Sequence, residues 1–389
     1  MSGPLDGVRI LDMSRLIAGN MLTMLLADFG AEVVKVERPR VGDTLRGWKV
    51  GGRELYWQVY GRNKKSVTLD LKSEPGRAAL LRMVDTADVL VESFRPGTLN
   101  QLGLGWDVLR ERRPNLVYLP ISGWGQTGSL SDRPGFGTLV EAKSGFAASN
   151  GFPDREPVLP PLALADMVAG VYGAYAVTLA LRHAASTGQG QLVDLSLFDA
   201  LFSIMGPVAA IHEATGQVPQ RSGNRSPISA PRNIYRARDG GWVALSATTQ
   251  SMFERLAVAM ATPELAEDPR FATNAARLAH IDALDAAIGA YFAARSTAEA
   301  LGELDEAGVT ACAVDDIASL VGSEFFRTRR VLTRAPDRAG EPGVLMHDVV
   351  PRLTASPGAV RSPAPRLGEH TAAVLRPLLT DEEWEKLSE

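Results

Sequence analysis

Asp166 stands between Pro160-Pro161-Leu162-Ala163-Leu164-Ala165 and an apolar run from Met167 to Leu181. A small acidic residue at the head of such a run can act in two ways. It can cap the helix that follows, its carboxylate accepting a backbone N–H bond that the first turn cannot satisfy internally. It can also present a charged oxygen at the positive end of that helix, in an apolar setting that suits a carboxylate nucleophile. Position alone leaves both readings open. A second group of residues carries charge: Arg38, Lys72 and Arg95 each follow a segment with strand character. In an open α/β sheet the carboxyl ends of the strands are where ligands bind. Three cations there suit a polyanion such as a phosphorylated nucleotide; singly, each is also an ordinary solvated loop charge.

The elements that must position these residues follow from the pattern. Val8–Leu11, Glu32–Glu37, Ser66–Leu71, Val89–Glu92 and Leu116–Ile121 read as strands, with helices over Met21–Phe29 and from Pro75 to Thr86. Strand and helix alternating at this spacing predict an α/β fold with a mostly parallel sheet covered on both faces. The Asp166 helix is expected to end near His183, before a tight turn at Thr187-Gly188-Gln189-Gly190-Gln191 and a strand over Leu192–Leu195. Arg221–Arg232 turns to Ser, Gly, Asn, Pro and Arg, a loop or hinge. Beyond it, Trp242–Ser246 reads as a strand, and Met252–Met260, Ile281–Ala294 and Ala298–Ala307 as helices of a smaller α+β domain. The tail from Phe326 is Pro-rich until two helical segments, Thr371–Leu379 and Asp381–Leu387.

At 389 residues the chain is long enough for two domains. A net charge of −4 with both signs interspersed excludes the basic footprint of a nucleic-acid binder or a polybasic membrane patch. Met1-Ser2-Gly3-Pro4-Leu5-Asp6 lacks the basic start and apolar core of a signal peptide, and Met167–Leu181 is short for a bilayer crossing, so a buried core helix is expected. The single cysteine, Cys312, fits a reducing cytoplasm and is expected as buried filler. Five scattered histidines offer no metal site. The first βαβ unit tempts toward a dinucleotide site with Glu37 on the ribose, but Asp12-Met13-Ser14-Arg15-Leu16-Ile17-Ala18-Gly19-Asn20 holds one glycine. A Rossmann phosphate loop needs several, closely spaced, so that backbone can approach pyrophosphate.

Phe29-Gly30-Ala31-Glu32-Val33-Val34-Lys35-Val36-Glu37-Arg38-Pro39, Asn63-Lys64-Lys65-Ser66, Glu92-Ser93-Phe94-Arg95-Pro96-Gly97 and Gly188-Gln189-Gly190-Gln191, in that order and spacing, resemble the family III CoA-transferases. That group includes formyl-CoA transferase, carnitine CoA-transferase and α-methylacyl-CoA racemase. The likeness runs from Pro4 to Thr371. It implies a large Rossmann-like CoA-binding domain (1–200), a hinge and lid loop (201–232), a small domain (233–325) and a return segment completing the large domain (326–389). It also implies an interlocked homodimer. The resemblance places the catalytic aspartate on Asp166 and CoA contacts on Ile17, Ala18, Arg38, Leu69, Lys72, Ser93, Phe94 and Arg95. CoA enters as substrate and product, with no prosthetic group; the partners are an acyl-CoA and a small carboxylic acid.

Two departures narrow the reading. The racemase branch has a His-Asp pair where this chain has Phe136-Gly137, expected at the substrate, and neither residue can move a proton. The glycine-rich lid of formyl-CoA transferase is replaced by Arg221-Ser222-Gly223-Asn224-Arg225-Ser226-Pro227. The Gly-Asn-Arg-Ser and Ala-Pro-Arg-Asn stretches resemble members that handle C4–C5 dicarboxylic acids. An acceptor acid calls for a cation, and Arg15, Arg225 and Arg232 are candidates because guanidinium grips carboxylate through two parallel hydrogen bonds. Transfer within one diacid, a racemase or isomerase, and a non-catalytic acyl-CoA-binding protein stand as alternatives.

Overall fold

The computed structural model describes residues 3–338 and 342–388. Residues 1–2, 339–341 and 389 of the expected large domain and return segment lie outside the described residues. The chain forms two compact units. One comprises Met1–Phe146, Leu159–Ala209 and Arg327–Glu389; the other Ala147–Val158 and Ala210–Phe326.

The first unit is built on strands β1 (Arg9–Met13), β2 (Glu32–Glu37), β3 (Lys64–Thr68), β4 (Val89–Glu92), β5 (Val117–Ser122) and β6 (Leu195–Ser196). They form one sheet in the order β3-β2-β1-β4-β5-β6, all pairs parallel. Strand residues alternate between faces, so apolar residues in succession feed two cores. Ile10, Val33, Val89 and Val117 point to one layer and Leu11, Val34, Leu90 and Leu116 to the other. The helices as far as Ser203, in chain order, are Ala18–Asp28 (α1), Leu55–Tyr60 (α2), Glu74–Val84 (α3), Thr98–Gln101 (α4), Trp106–Arg112 (α5), Gly137–Lys143 (α6), Phe146–Ser149 (α7, of which only Phe146 belongs to this unit), Leu164–Thr187 (α8) and Leu197–Ser203 (α9). α1 and α8 cover the first layer through Leu22, Leu26, Ala165, Ala169, Val177 and Ala180. The second is closed by α3 and by Val374 and Leu375 from the carboxyl-terminal segment.

Small residues on α8 let it lie close on α1: a Cβ built on Gly173 would fall 2.2 Å from Leu22 Cδ1, and one on Gly170 3.0 Å from the Ala18 carbonyl oxygen. α8 ends at Gly188, whose φ of +72° is a left-handed cap that favours glycine. Gly190 then donates its N–H to the Pro114 carbonyl at 2.8 Å, so close to β5 that a Cβ would overlap Leu116 O.

The second unit carries an antiparallel sheet, β7 (Arg232–Arg236), β8 (Trp242–Ser246) and β9 (Ala311–Ala313), backed by helices including Gln250–Ala259, Ile281–Ala293 and Thr297–Glu306. Its core gathers Tyr235, Phe253, Phe271, Leu284, Ile288 and Phe292.

Several expectations need correction. α8 begins at Leu164 and runs to Thr187, so Asp166 lies inside the first turn rather than capping it. It is not a wholly buried helix either: Val171, Tyr175 and Leu179 are 53%, 61% and 52% exposed. α1 starts three residues earlier than its apolar run indicates. Arg232, placed in a loop, opens β7. Cys312 is exposed, because β9 has only three residues and turns that side chain outward.

Candidate active site

β1 and β4 are the neighbours on either side of which the strand order reverses, and ligands of open α/β sheets bind outside that point. The two turns leaving these strands lean on each other. Arg15 donates its backbone N–H to Ser93 Oγ at 2.8 Å, and its guanidinium carbon lies 5.5 Å from the Phe94 ring centroid.

Beneath the β1 turn sits a cluster of charge with no solvent exposure. Lys35 Nζ is 3.2 Å from Asp12 and 2.9 Å from Asp43; Lys64 Nζ is 3.1 Å from Asp12. Two cations and two carboxylates balance, and hydrogen bonds to Ser14, Thr23 and Asn20 satisfy the rest. Burial opposes the Asp12 charge, yet Lys35 and Lys64 hold the carboxyl well below its usual range. Burial pushes Lys64 down to about 8 despite Asp12. Asp43 also accepts the N–H of Leu16 at 3.0 Å. Leu16 has a φ of +64°, a conformation strained for a leucine, and the cluster holds it there.

Three cavities line up along this edge. The first, about 330 Å³, is lined by Arg38, Leu69, Lys72, Asp43, Arg15 and Phe94. The second, about 280 Å³, shares Arg15 and Phe94 and adds Ala18, Ser93, Arg95, Arg133, Phe136 and Asp166. The third, about 560 Å³, shares Leu16, Phe136 and Asp166 and adds Ile17, Trp48, Tyr56, Gly137 and Glu141. Asp166 therefore faces two cavities at once.

Asp166 is half-buried at the meeting of two helix starts. Burial raises its carboxyl to about 6, and the Glu141 charge adds to the rise; its own N–H and that of Ala18, the first residue of α1, pull the other way. Glu141, on α6, is 3% exposed and accepts the Ala165 N–H at 3.1 Å, so this acid serves one of the free donors of the α8 start beside the Asp166 carboxylate. Gly137 packs directly on the carboxylate: a Cβ there would sit 2.1 Å from Asp166 Oδ2.

Of the residues singled out from sequence, the structure brings Ala18, Ser93, Phe94, Arg95, Arg15 and Phe136 to the second cavity, and Arg38, Leu69 and Lys72 to the first. Ile17 is buried and borders the third. Arg225 and Arg232 belong to the second unit. The Arg225 guanidinium is taken up by Asp282 and Asp285, both at 2.7 Å, and Arg232 lines an open hollow with Asn224 and Cys312. Glu141, Leu16 and Arg133 were missed. Nothing in their local sequence marks them, since Glu141 reaches Ala165 only across 24 residues.

A model described as CoA-transferase family III matches residues 5–371. The chain belongs to that family. Among its relatives, succinyl-CoA–D-citramalate CoA-transferase of Chloroflexus aurantiacus is 40% identical over 97% of this chain and 94% of its own length. Acetyl-CoA:oxalate CoA-transferase of Acetobacter aceti is 35% identical, covering 96% and 95%. Succinate–glutarate CoA-transferase of Agrobacterium fabrum is 33% identical, covering 97% and 96%. A crystal structure of a CAIB/BAIF family protein from Brucella suis superposes with a TM-score of 0.86 at 33% identity, over 97% of this chain and all of that one. The family III chain described here is a CoA-transferase, and its substrates are CoA thioesters.

Proposed function

We propose that this transferase moves CoA from a succinyl-CoA-like donor to a C4 or C5 dicarboxylic acid, with Asp166 as the nucleophile. The observation that carries the reading is a carboxylate shared between two cavities, one of which shares Arg15 and Phe94 with a cleft at the switch point of the sheet that Arg38 and Lys72 line. The nucleotide end of CoA would lie by Arg38 and Lys72, with pantetheine passing Phe94 and Arg15 toward Asp166. The names of relatives, which pair succinyl-CoA with citramalate or malate and succinate with glutarate, support the choice of acids. Of the three arginines that the sequence offers for the acceptor acid, Arg15 is the one in the first unit, and it lines the second cavity. No Lys or Arg lines the third cavity among the described residues, so the cation for a terminal carboxylate comes from Arg15, Arg95 or Arg133 of the second.

A carboxylate attacks a thioester without the partner base that serine requires. Asp166 attack on the thioester carbonyl expels CoA thiolate and leaves an aspartyl–acyl mixed anhydride. The thiolate attacks the aspartyl carbonyl, releasing the first acid and forming an aspartyl-CoA thioester. The acceptor carboxylate attacks that carbonyl in turn, and thiolate attack on the acceptor acyl carbon frees the new acyl-CoA and Asp166. The N–H of Ala18, already directed to the carboxylate, suits the oxyanion of these steps, and such a donor is worth roughly 3 kcal/mol.

We also read the active form as a homodimer, since the bare apolar edge of α8 is suited to a second copy. The chemistry is tested with Asp166→Asn against a panel of acyl-CoA donors and carboxylic acids. Turnover is expected to fall by at least about 10³-fold, and the native protein is expected to carry a hydroxylamine-sensitive adduct on Asp166. Full turnover in the variant would reduce Asp166 to a structural residue.

A further inference from the structure

Glu92 closes β4 at the switch point and has no part in the acyl exchange. Its residue is 4% exposed, and it lines neither neighbouring cavity. Both carboxylate oxygens are engaged: one accepts the Phe94 backbone N–H at 2.6 Å, the other the Tyr118 hydroxyl at 2.9 Å. Tyr118, on β5, is itself fixed by stacking on Trp106, with ring centroids 5.8 Å apart.

What Glu92 holds is the border that two cavities share. Phe94 and Arg15 are the residues common to both, and the Arg15 guanidinium lies over the Phe94 ring. The groups whose charge or protons act on Glu92 are Tyr118 from β5 and Arg15 from the β1 turn. We propose that Glu92 is a positioning residue for CoA: its buried carboxylate fixes the Phe94 backbone and, with it, the Phe94–Arg15 pair that the pantetheine arm must pass. The proposal rests on the CoA path described above.

The charge matters as well as the shape. A buried carboxylate that accepts two hydrogen bonds holds them more strongly than a neutral acid does. It also offers the exposed Arg15 guanidinium a counter-charge. Burial pushes Glu92 up to about 7, against the pull of the Phe94 N–H, Tyr118 and Arg15. The ionised form therefore gives way to the neutral acid as pH falls through that value, and the hold on Phe94 and Arg15 loosens on the acid side. Burial keeps the Tyr118 hydroxyl protonated throughout, so it stays a donor.

The test measures CoA affinity by calorimetry from pH 5.5 to 8.5 for the native protein and Glu92→Gln, which keeps shape and loses charge. CoA alone is the probe, so the acyl chemistry does not enter. The 3′-phosphate of CoA, with a second pKa of roughly 6, titrates identically with both proteins, so the ratio of their dissociation constants reads Glu92. That ratio should be about fivefold or more at pH 8 and close to one at pH 5.5. Tyr118→Phe, which removes a donor and keeps the ring, should move the native transition to higher pH. In turnover assays Glu92→Gln should raise KM for acyl-CoA and leave kcat within about twofold. A ratio that does not change with pH, or equal affinities throughout, would overturn the proposal. A native protein that binds no CoA would instead overturn the CoA path itself, and the proposal with it.

Discussion

In the proposed exchange Asp166 must be ionised to attack, and its surroundings make that conditional on pH. Burial and the Glu141 charge together raise its carboxyl to about 6. At saturating substrate, kcat should therefore fall on the acid side with a midpoint near that value, and be flat above it. Glu141→Gln removes the repelling charge while its amide oxygen can still accept the Ala165 N–H, so the acid limb of kcat should move to lower pH. Gly137→Ala is the sharper test of geometry. Its Cβ would overlap Asp166 Oδ2, the carboxylate must turn aside, and displacements of that size cost about 10²-fold in kcat. Circular dichroism should show an intact fold, because Gly137 is the first residue of α6 and alanine suits a helix. At this scale the sequence was legible where residue type carried the meaning, as with an acid at the head of an apolar helix. It was silent on Glu141, whose role exists only once α6 and the start of α8 are side by side.

At the scale of elements, the β1 turn is held from below. Asp43 pairs with Lys35, accepts from Leu16, Leu45 and Asn20, and thereby keeps Leu16 in its strained conformation between two cavities. Asp43→Ala leaves Lys35 short of one of its two carboxylates in a site without solvent. Breaking such a pair typically costs about 3–5 kcal/mol, so a lowered denaturant midpoint and weakened acyl-CoA binding are both expected. Gly190→Ala should destabilise by roughly 1–3 kcal/mol through overlap with Leu116 O, with activity per folded molecule unchanged. The strands were legible because buried parallel strands read as continuous apolar runs. Helix starts were less so: α8 begins in Leu164-Ala165, residues that fit a loop or a helix equally well. Cys312 and Arg232 were misplaced for a related reason, since three- and five-residue strands in a small antiparallel sheet have too few residues to show which way they face.

For the whole molecule, the first unit depends on the chain returning from far away. Pro365 O accepts both Trp57 Nε1 at 2.9 Å and Arg46, and the Ser66 carbonyl accepts the His370 N–H at 2.8 Å. Val374 and Leu375 then close the second core layer. Deleting residues 362–389 should thus leave the parallel sheet open and the protein insoluble or without a cooperative melt. The homodimer reading predicts a mass of twice the chain by light scattering. Replacing Val171, Tyr175 and Leu179 together with serine should weaken association and leave the α1–α8 contact intact, because these side chains lie on the opposite edge of the helix. A protein that remains monomeric at micromolar concentration in its native form would remove the dimer.

What the sequence determined by itself is the class of fold and the family, and it singled out the acid on which the proposed chemistry turns. These follow from local periodicity and from residue types in a fixed order, both of which are properties of neighbours in the chain. Only tertiary structure decided which charges are bound up and which are free. Lys35 and Lys64 vanish into a balanced buried cluster and Arg225 into two aspartates, while Arg15 is left at the mouth of the site. Whether a charge meets a ligand or a partner within the protein depends on approaches of a few ångströms between segments tens of residues apart, and no local pattern encodes those distances.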